Sequence, residues 1–324
     1  MESMKSSWSK GKKLSVEFRR KHLLGMEGLS EGEITHILDT ARTFREVIMR
    51  PIRIVPTLRG YSVANMFFEP STRTRVSFEL AEKRLSCEAV NFSTIGSSVK
   101  KGESLLDTVL TIEAMQVDAV VIRHSAQGAP HFLARKIKAS VINAGDGYHE
   151  HPTQALLDLH TIREKFSGFK GLKVAIIGDI AHSRVAGSDI IALKTLGADV
   201  LLCAPSSLIP CKIEEMGVKI THDLMEALSF AEVAYLLRIQ LERKAGDCFP
   251  TLREYQLRYG VTMERLKKIG RDITIMHPGP MNRGVEISAE VADSPYSLVL
   301  DQVTNGVAVR MAVLYLISGG KERN

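Results

Sequence analysis

The 324-residue chain is long enough for two domains, each with its own core. With 44% hydrophobic and 25% charged residues, the composition excludes a disordered chain, a collagen-like fibre and a coiled coil. A net charge of +6 would by itself point to nucleic acid or an anionic membrane, but residues 1–21 account for +5 of it. We therefore expect neither partner, and we expect residues 1–20 to form a disordered basic leader.

The four cysteines are Cys87, Cys203, Cys211 and Cys248, and their spacing fits no zinc motif. A chain of this size does not need disulfides, so free thiols in a reducing cytoplasm are expected. No run of 18 apolar residues occurs, and no apolar segment follows the N-terminal lysines as in a secretory signal. The sequence therefore predicts a cytoplasmic protein.

Helix and strand patterns alternate along the chain. The sequence from Ser30 to Glu33 is typical of a helix start, and an apolar face follows to residue 41. Further helices are predicted after residues 71 and 151 and over 303–317. Strands are predicted at residues 61–68, 118–122, 140–143, 173–177, 199–203, 232–237 and 273–276.

This alternation predicts two α/β domains of similar size, with mainly parallel sheets and an active-site cleft between them. The first domain is expected at residues 21–150, joined by the C-terminal helix at about 303–318. The second is expected at residues 151–302.

The segment Ser71-Thr72-Arg73-Thr74-Arg75 lies between a predicted strand and a predicted helix. Unpaired backbone N–H groups at a helix N-terminus bind anions, and hydroxyl and guanidinium groups add donors. The alternative is an ordinary N-cap with an exposed charged first turn. Arginines in a first turn oppose the helix dipole, and a bound anion would explain their presence.

Two further cationic features precede the middle of the chain. Arg123 stands at the end of a predicted strand, which is the functional edge of a parallel sheet. Ser97 and Lys101 lie in a polar loop that could reach a phosphate but is equally typical of a solvated loop.

The segment His149-Glu150-His151-Pro152-Thr153-Gln154 invites a metal hypothesis, but its spacing matches no metal-binding motif. The predicted helix start favours another interpretation, in which His151 and Gln154 hold a carbonyl and an amide-like group. We expect no metal and no cofactor.

In the second half, a strand ending at Gly178 resembles the first turn of a dinucleotide-binding unit, but the GxGxxG motif is missing. His182, Ser183 and Arg184 suit a small carboxylate instead. Arg238 and Gln240 follow another strand, and a rigid His-Pro-Gly-Pro turn begins at His277. No arrangement for nucleophilic catalysis stands out, so the sequence predicts a polyanion site that works by positioning and fixed charge.

The segments Phe68-Glu69-Pro70-Ser71-Thr72-Arg73-Thr74-Arg75, His151-Pro152-Thr153-Gln154 and His277-Pro278-Gly279-Pro280 closely resemble the carbamoyltransferase family. The resemblance runs from about residue 21 to the C-terminus. Arg238-Ile239-Gln240 resembles the Arg-x-Gln element of the aspartate branch, the catalytic chains of aspartate carbamoyltransferases. The ornithine branch has Asp-Ser-Met-Gly there, and an ornithine or other amine acceptor is the alternative.

The resemblance implies transfer of a carbamoyl group from carbamoyl phosphate to the α-amine of L-aspartate, a step of pyrimidine biosynthesis. It implies that Arg73, Thr74, Lys101, Arg123, His151 and Gln154 are catalytic. It implies that carbamoyl phosphate is bound by these residues with Ser71, Thr72, Ser97, Gly279 and Pro280. It implies that aspartate is bound by Lys101, Arg184, Arg238 and Gln240.

The resemblance also implies a homotrimer in which Ser97 and Lys101 reach the active site of a neighbouring subunit. Regulatory chains and dihydroorotase are the further partners that it brings into consideration.

Overall fold

A computed structural model describes residues 18–93, 103–239 and 251–319. The strands are β1 (Ser62–Phe67), β2 (Glu88–Ser93), β3 (Ala119–His124), β4 (Ser140–Asp146), β5 (Lys173–Ile177), β6 (Asp199–Cys203), β7 (Lys219–Thr221), β8 (Val233–Leu236) and β9 (Thr274–Met276). The helices are α1 (Glu31–Ile48), α2 (Thr72–Leu85), α3 (Leu105–Glu113), α4 (Ala129–Ala134), α5 (Pro152–Lys165), α6 (Arg184–Thr195), α7 (Leu224–Phe230), α8 (Leu252–Tyr259), α9 (Met263–Ile269), α10 (Ala289–Ala292) and α11 (Val299–Ile317). None of these described helices is long and apolar enough to cross a membrane.

The strands form two parallel sheets. The first has the order β2-β1-β3-β4, and the second has the order β7-β6-β5-β8-β9. Within each sheet all paired strands run in the same direction, as expected for strands joined by helical crossovers. The predicted α/β fold class with mainly parallel sheets is thus confirmed.

Apolar side chains cover both faces of the first sheet, which is why its strands read as nearly continuous apolar runs. On one face Val63 and Phe67 belong to a large core that continues into the second sheet. On the other face Met66 and Ile122 pack in a smaller core with residues of α3 and α4. The edge strands β2 and β7 were not predicted, because β2 is largely exposed and β7 has only three residues.

Helix α11 returns to the first sheet after the chain has completed the second. It packs against α1, α2 and α5. It begins at Val299, four residues before the predicted start at residue 303, and 13 of its 19 residues are buried. Helix α5 also contacts α6 of the second half, so α5 and α11 tie the two sheets together.

Candidate active site

In each sheet the strand order reverses direction beside one strand, and a crevice forms at the carboxyl end of that strand. The strand is β1 in the first sheet and β5 in the second. From β1 the first sheet extends to β2 on one side and to β3 on the other, and β5 has the same position between β6 and β8. Ligands of open α/β sheets bind at such switch points. The segments that follow β1, β5 and β8, together with the end of β3, line a single cavity of about 710 Å³, a volume suited to small metabolites.

The cavity gathers predicted site residues from both halves of the chain. Those that line it are Ser71, Thr72, Arg73, Thr74, Arg123, His151, Gln154, Arg184, Arg238, Gly279 and Pro280. Ser97, Lys101 and Gln240 lie outside the described residues. Ser183 also lines the cavity, whereas His182 bonds Asp179, with 2.7 Å between Nδ1 and Oδ1, and is not among the lining residues.

The N-terminus of α2 faces the cavity without a side-chain cap. Ser71 occupies the N-cap position, but its hydroxyl makes no capping hydrogen bond, and the first turn holds no acidic residue. Helix α1, by contrast, is closed by a complete capping box between Ser30 and Glu33. The first-turn N–H groups and hydroxyls of α2 therefore remain available to an anion.

The two arginines of the Ser71–Arg75 segment have different environments. Arg73 lines the cavity with an exposed side chain, and partial desolvation, followed by the charge of the neighbouring Arg238, lowers the pKa of its guanidinium. Arg75 points outward and pairs with Glu79 at 3.6 Å between Nε and Oε1. Of the two arginines only Arg73 lines the cavity, so the anion-site hypothesis concerns Arg73. Arg75 fits the alternative, an exposed charge in the first turn of the helix.

Arg73 packs closely against the turn that starts at His277. A methyl group placed on Gly279 would lie 3.3 Å from Arg73 Cζ, and Gly279 has a φ of +63°. The His277 ring holds this turn, because its Nδ1 accepts a hydrogen bond from Gly279 N–H at 2.8 Å. Glycine here lets the guanidinium and the backbone carbonyls of the turn share one wall of the cavity.

Glu69 stands between two cavity arginines. Its Oε2 accepts a hydrogen bond from Arg184 Nη2 at 2.8 Å and lies 3.5 Å from Arg123 Nε. A methyl group on Gly145 would lie 2.8 Å from Arg184 Nη1 and 3.4 Å from Arg123 Nη1. Gly145 therefore makes room for both guanidinium groups beside the carboxylate.

His151 is fully buried at the start of α5. Burial, followed by the charges of Arg123, Arg310 and Arg184, lowers the pKa of its imidazole well below the ordinary value. Its Nδ1 has no hydrogen-bond partner within the described residues. A neutral imidazole in this position can donate a hydrogen bond without carrying a charge.

The structure brings together a different set of possible metal ligands from the one suggested by residues 149–151. Possible ligand atoms of His131, Asp146 and His149 lie within 4.8 Å of one another, and His151 does not belong to this group. Asp146 already accepts hydrogen bonds from the backbone of Gly128 and Glu150, and its Oδ2 lies 3.1 Å from His149 Nδ1. These bonds account for the grouping as local structure.

Two charged residues of the site were missed by sequence reasoning. Glu69 precedes the Ser71–Arg75 segment, and an acidic residue next to a cationic turn was the available signal. Arg310 lines the cavity from α11, where it donates hydrogen bonds to Ser77 Oγ and Gly306 O, and burial lowers its pKa to about 10. The sequence feature that could have identified Arg310 is that it is the one charged residue in the apolar segment 307–314.

Two family models match most of the chain. The carbamoyl-P binding domain of the aspartate/ornithine carbamoyltransferases matches residues 21–164, and their Asp/Orn binding domain matches residues 170–317. The predicted boundary at residues 150/151 stays a prediction.

Individual relatives are similar over nearly their full length. The aspartate carbamoyltransferase catalytic subunit of Cytophaga hutchinsonii is 60% identical over 93% of this chain and 98% of its own. The catalytic subunit of Syntrophotalea carbinolica is 57% identical over 95% of this chain and 98% of its own.

Solved structures are similar as well. An aspartate transcarbamoylase from Trypanosoma cruzi, in complex with carbamoyl phosphate and aspartate, superimposes with a TM-score of 0.83 at 30% identity, over 92% of this chain and 97% of its own. The catalytic subunit of the M. jannaschii enzyme superimposes with a TM-score of 0.81 at 37% identity, over 93% of this chain and 99% of its own. The chain belongs to the aspartate/ornithine carbamoyltransferase family.

Proposed function

We propose that the protein transfers the carbamoyl group of carbamoyl phosphate to the α-amine of L-aspartate, giving N-carbamoyl-L-aspartate and phosphate. The observation that carries the proposal is the convergence of Arg73, Arg123, Arg184 and Arg238 on one cavity beside the uncapped N-terminus of α2. Both substrates are anions, and the relatives at 54–60% identity bear the name of this activity.

The phosphate end of carbamoyl phosphate is assigned to α2. Its oxygens would accept hydrogen bonds from the first-turn N–H groups and from the hydroxyls of Ser71, Thr72 and Thr74. Arg73 would add a bidentate, charge-assisted contact. The absence of a capping bond from Ser71 supports this assignment, because the donors are not spent on the helix itself.

The carbamoyl end is assigned to the residues around α5. Thr74, Arg123 and His151 would donate to the carbonyl oxygen, where negative charge grows as the amine attacks. The carbamoyl NH2 would donate to the side-chain carbonyl of Gln154 and to the backbone carbonyls of Gly279 and Pro280. The lowered pKa of His151 supports a role as a neutral hydrogen-bond donor rather than as a proton source.

The two carboxylates of aspartate are assigned to Arg184 and Arg238, with Gln240 assisting. Arginine forks match carboxylates in a bidentate geometry, and neither residue would favour the cationic side chain of ornithine. The Trypanosoma cruzi relative with carbamoyl phosphate and aspartate bound supports the same pair of substrates.

The reaction needs no dedicated protein base. The amine of aspartate attacks the carbonyl carbon, a C–N bond forms and a tetrahedral intermediate appears. As the bond from carbon to the phosphate oxygen breaks, the departing phosphate takes the amine proton. The site therefore contributes orientation and fixed positive charge.

The assembly proposed is a cytoplasmic homotrimer in which Ser97 and Lys101 complete a neighbour's site. It is supported by the exposed apolar side chains of Val76 and Leu80, which lie one turn apart on α2. A trimer mixed from inactive Lys101→Ala and inactive Arg73→Ala subunits should regain part of the activity. No recovery would contradict shared sites.

An acceptor assay tests the proposed reaction directly. Purified protein is given carbamoyl phosphate with aspartate, ornithine or related amines in parallel, and the carbamoylated product is measured. We expect product with aspartate. Product with ornithine alone would overturn the proposal.

A further inference from the structure

Asp158 is a buried carboxylate one helical turn after Gln154, at the back of the cavity. It accepts hydrogen bonds from Tyr235 Oη at 2.7 Å, from Gln302 Nε2 at 2.6 Å and from Gln154 Nε2 at 3.1 Å. These donors come from β8, α11 and α5, so the carboxylate joins both halves of the molecule. Burial raises the pKa of Asp158 to about 7, and the hydrogen bonds from its three donors act in the other direction by favouring the ionised form.

The carboxylate determines which end of the Gln154 amide faces the substrate. The ionised form of Asp158 only accepts hydrogen bonds, and Gln154 turns its NH2 group toward it, with Nε2 at 3.1 Å and 3.2 Å from the two carboxylate oxygens. The carbonyl oxygen is on the other branch of the amide, away from Asp158, and Gln154 is one of the residues that line the cavity. The orientation matters because the carbamoyl NH2 needs an acceptor there.

The same carboxylate also holds the second acceptor of the carbamoyl NH2. Gln302 donates its NH2 to Asp158, and its Oε1 accepts a hydrogen bond from the backbone N–H of His277 at 3.0 Å. His277 begins the turn that contributes Gly279 and Pro280 to the cavity lining. Both groups assigned to the carbamoyl NH2 are therefore oriented from one buried residue.

We propose that Asp158 is a positioning residue that makes the cavity select an acyl phosphate bearing an NH2 group over one bearing a methyl group. The inference rests on the proposed function. It assigns the discrimination to the network of Asp158, Gln154 and Gln302 rather than to the arginines that bind phosphate and carboxylates.

Asp158→Asn tests the network with minimal change in volume. The asparagine NH2 would satisfy the carbonyl of Gln154, so the Gln154 amide can flip and present its own NH2 to the carbamoyl NH2. We expect the KM for carbamoyl phosphate to rise at least about tenfold, as for other losses of a hydrogen-bonded acceptor. The inhibition constants of acetyl phosphate and inorganic phosphate, which lack the NH2 group, should stay within about twofold.

Asp189→Asn is the matched control. Asp189 is a buried carboxyl of α6 near Tyr235, and burial and the charge of Asp158 raise its pKa well above the ordinary value. The raised pKa favours the protonated form of Asp189, which asparagine matches in shape and charge, so its replacement by asparagine should leave the ratio of carbamoyl phosphate to acetyl phosphate affinity unchanged.

Tyr235→Phe gives a second measurement that preserves the packing. It removes one of the three donors, so the affinity ratio should fall in the same direction by a smaller factor. Equal loss of affinity for carbamoyl and acetyl phosphate, or an unchanged ratio in Asp158→Asn, would overturn the inference. If Asp158→Asn does not fold, an unchanged ratio in Tyr235→Phe would overturn it. Wild-type protein that forms no carbamoyl aspartate would instead refute the proposed function.

Discussion

Glu69 accepts a hydrogen bond from Arg184 over 2.8 Å, and this contact joins the loop after β1 to the first turn of α6. Glu69 follows β1 of the first sheet and Arg184 follows β5 of the second, so the bond spans the crevice between the two sheets. Arg184 is 3% exposed, and a buried guanidinium without a carboxylate partner would be costly. Glu69 thus holds a cation that is assigned to the substrate carboxylate.

The first prediction concerns this bridge. In Glu69→Ala, Arg184 and Arg123 lose the carboxylate that orients them, so the KM for aspartate should rise roughly tenfold, and kcat should fall with it. Glu69→Gln keeps an acceptor oxygen and should have a smaller effect. Steady-state kinetics with aspartate as the varied substrate measures both. A lower KM in Glu69→Ala would mean that Glu69 competes with the substrate instead of orienting the arginines.

The second prediction concerns the contact between Gly279 and Arg73. In Gly279→Ala the added methyl group meets the guanidinium at 3.3 Å, so Arg73 must shift, and phosphate affinity should fall roughly tenfold. Gly270→Ala is the control, because Gly270 has a similar φ of +71° with no atom within 4 Å of the added methyl group. It should cost about 1 kcal/mol of stability and leave phosphate affinity unchanged. Equal affinities in the two variants would contradict the close-contact argument.

The third prediction concerns Glu82, a buried residue of α2 that accepts a hydrogen bond from Asn65 Nδ2 at 2.8 Å. Burial raises the pKa of Glu82 from 4.5 to about 7. The folded state therefore binds the proton more tightly, and this contribution to stability is present below pH 4.5 and lost as the pH rises through 7.

Replacement by glutamine removes the charge. Glu82→Gln should raise the free energy of unfolding relative to wild type at pH 8 by about 3 kcal/mol at most, and by less near pH 5. Urea unfolding at both pH values measures the difference. Glu46→Gln, at an exposed position of α1, should change stability by less than about 0.5 kcal/mol at either pH. A larger gain for Glu82→Gln at pH 5 than at pH 8 would refute the assignment.

The fourth prediction concerns His151. Because its pKa is lowered well below 6.5, the imidazole stays neutral across the neutral range, and its protonation should produce no fall in kcat between pH 8 and pH 6.5. His151→Ala should lower kcat about 10²–10³-fold through loss of a donor to the developing oxyanion. His36→Gln, on α1, serves as the control and should keep the wild-type kcat. A kcat titration near pH 6.5 that disappears in His151→Ala would contradict a neutral His151.

Much of the fold follows from the sequence because the signals are local. A buried parallel strand is a short apolar run, so β5 and β6 have the predicted bounds. The motifs that begin at Ser71, His151 and His277 carry the resemblance to the family, and each combines a turn with a helix start or a rigid backbone.

The tertiary structure decided which charges meet. The sequence places Glu69 and Arg184 115 residues apart, and no periodicity connects them. Likewise, Asp158 and Gln302 are separated by 144 residues and meet only because α11 returns to pack on α5. Local propensity fixes the elements, whereas contacts between distant side chains depend on packing, strand order and burial. For this reason the sequence predicted the cations of the site, and only the folded structure located Glu69 beside Arg184 and Asp158 beside the amides of Gln154 and Gln302.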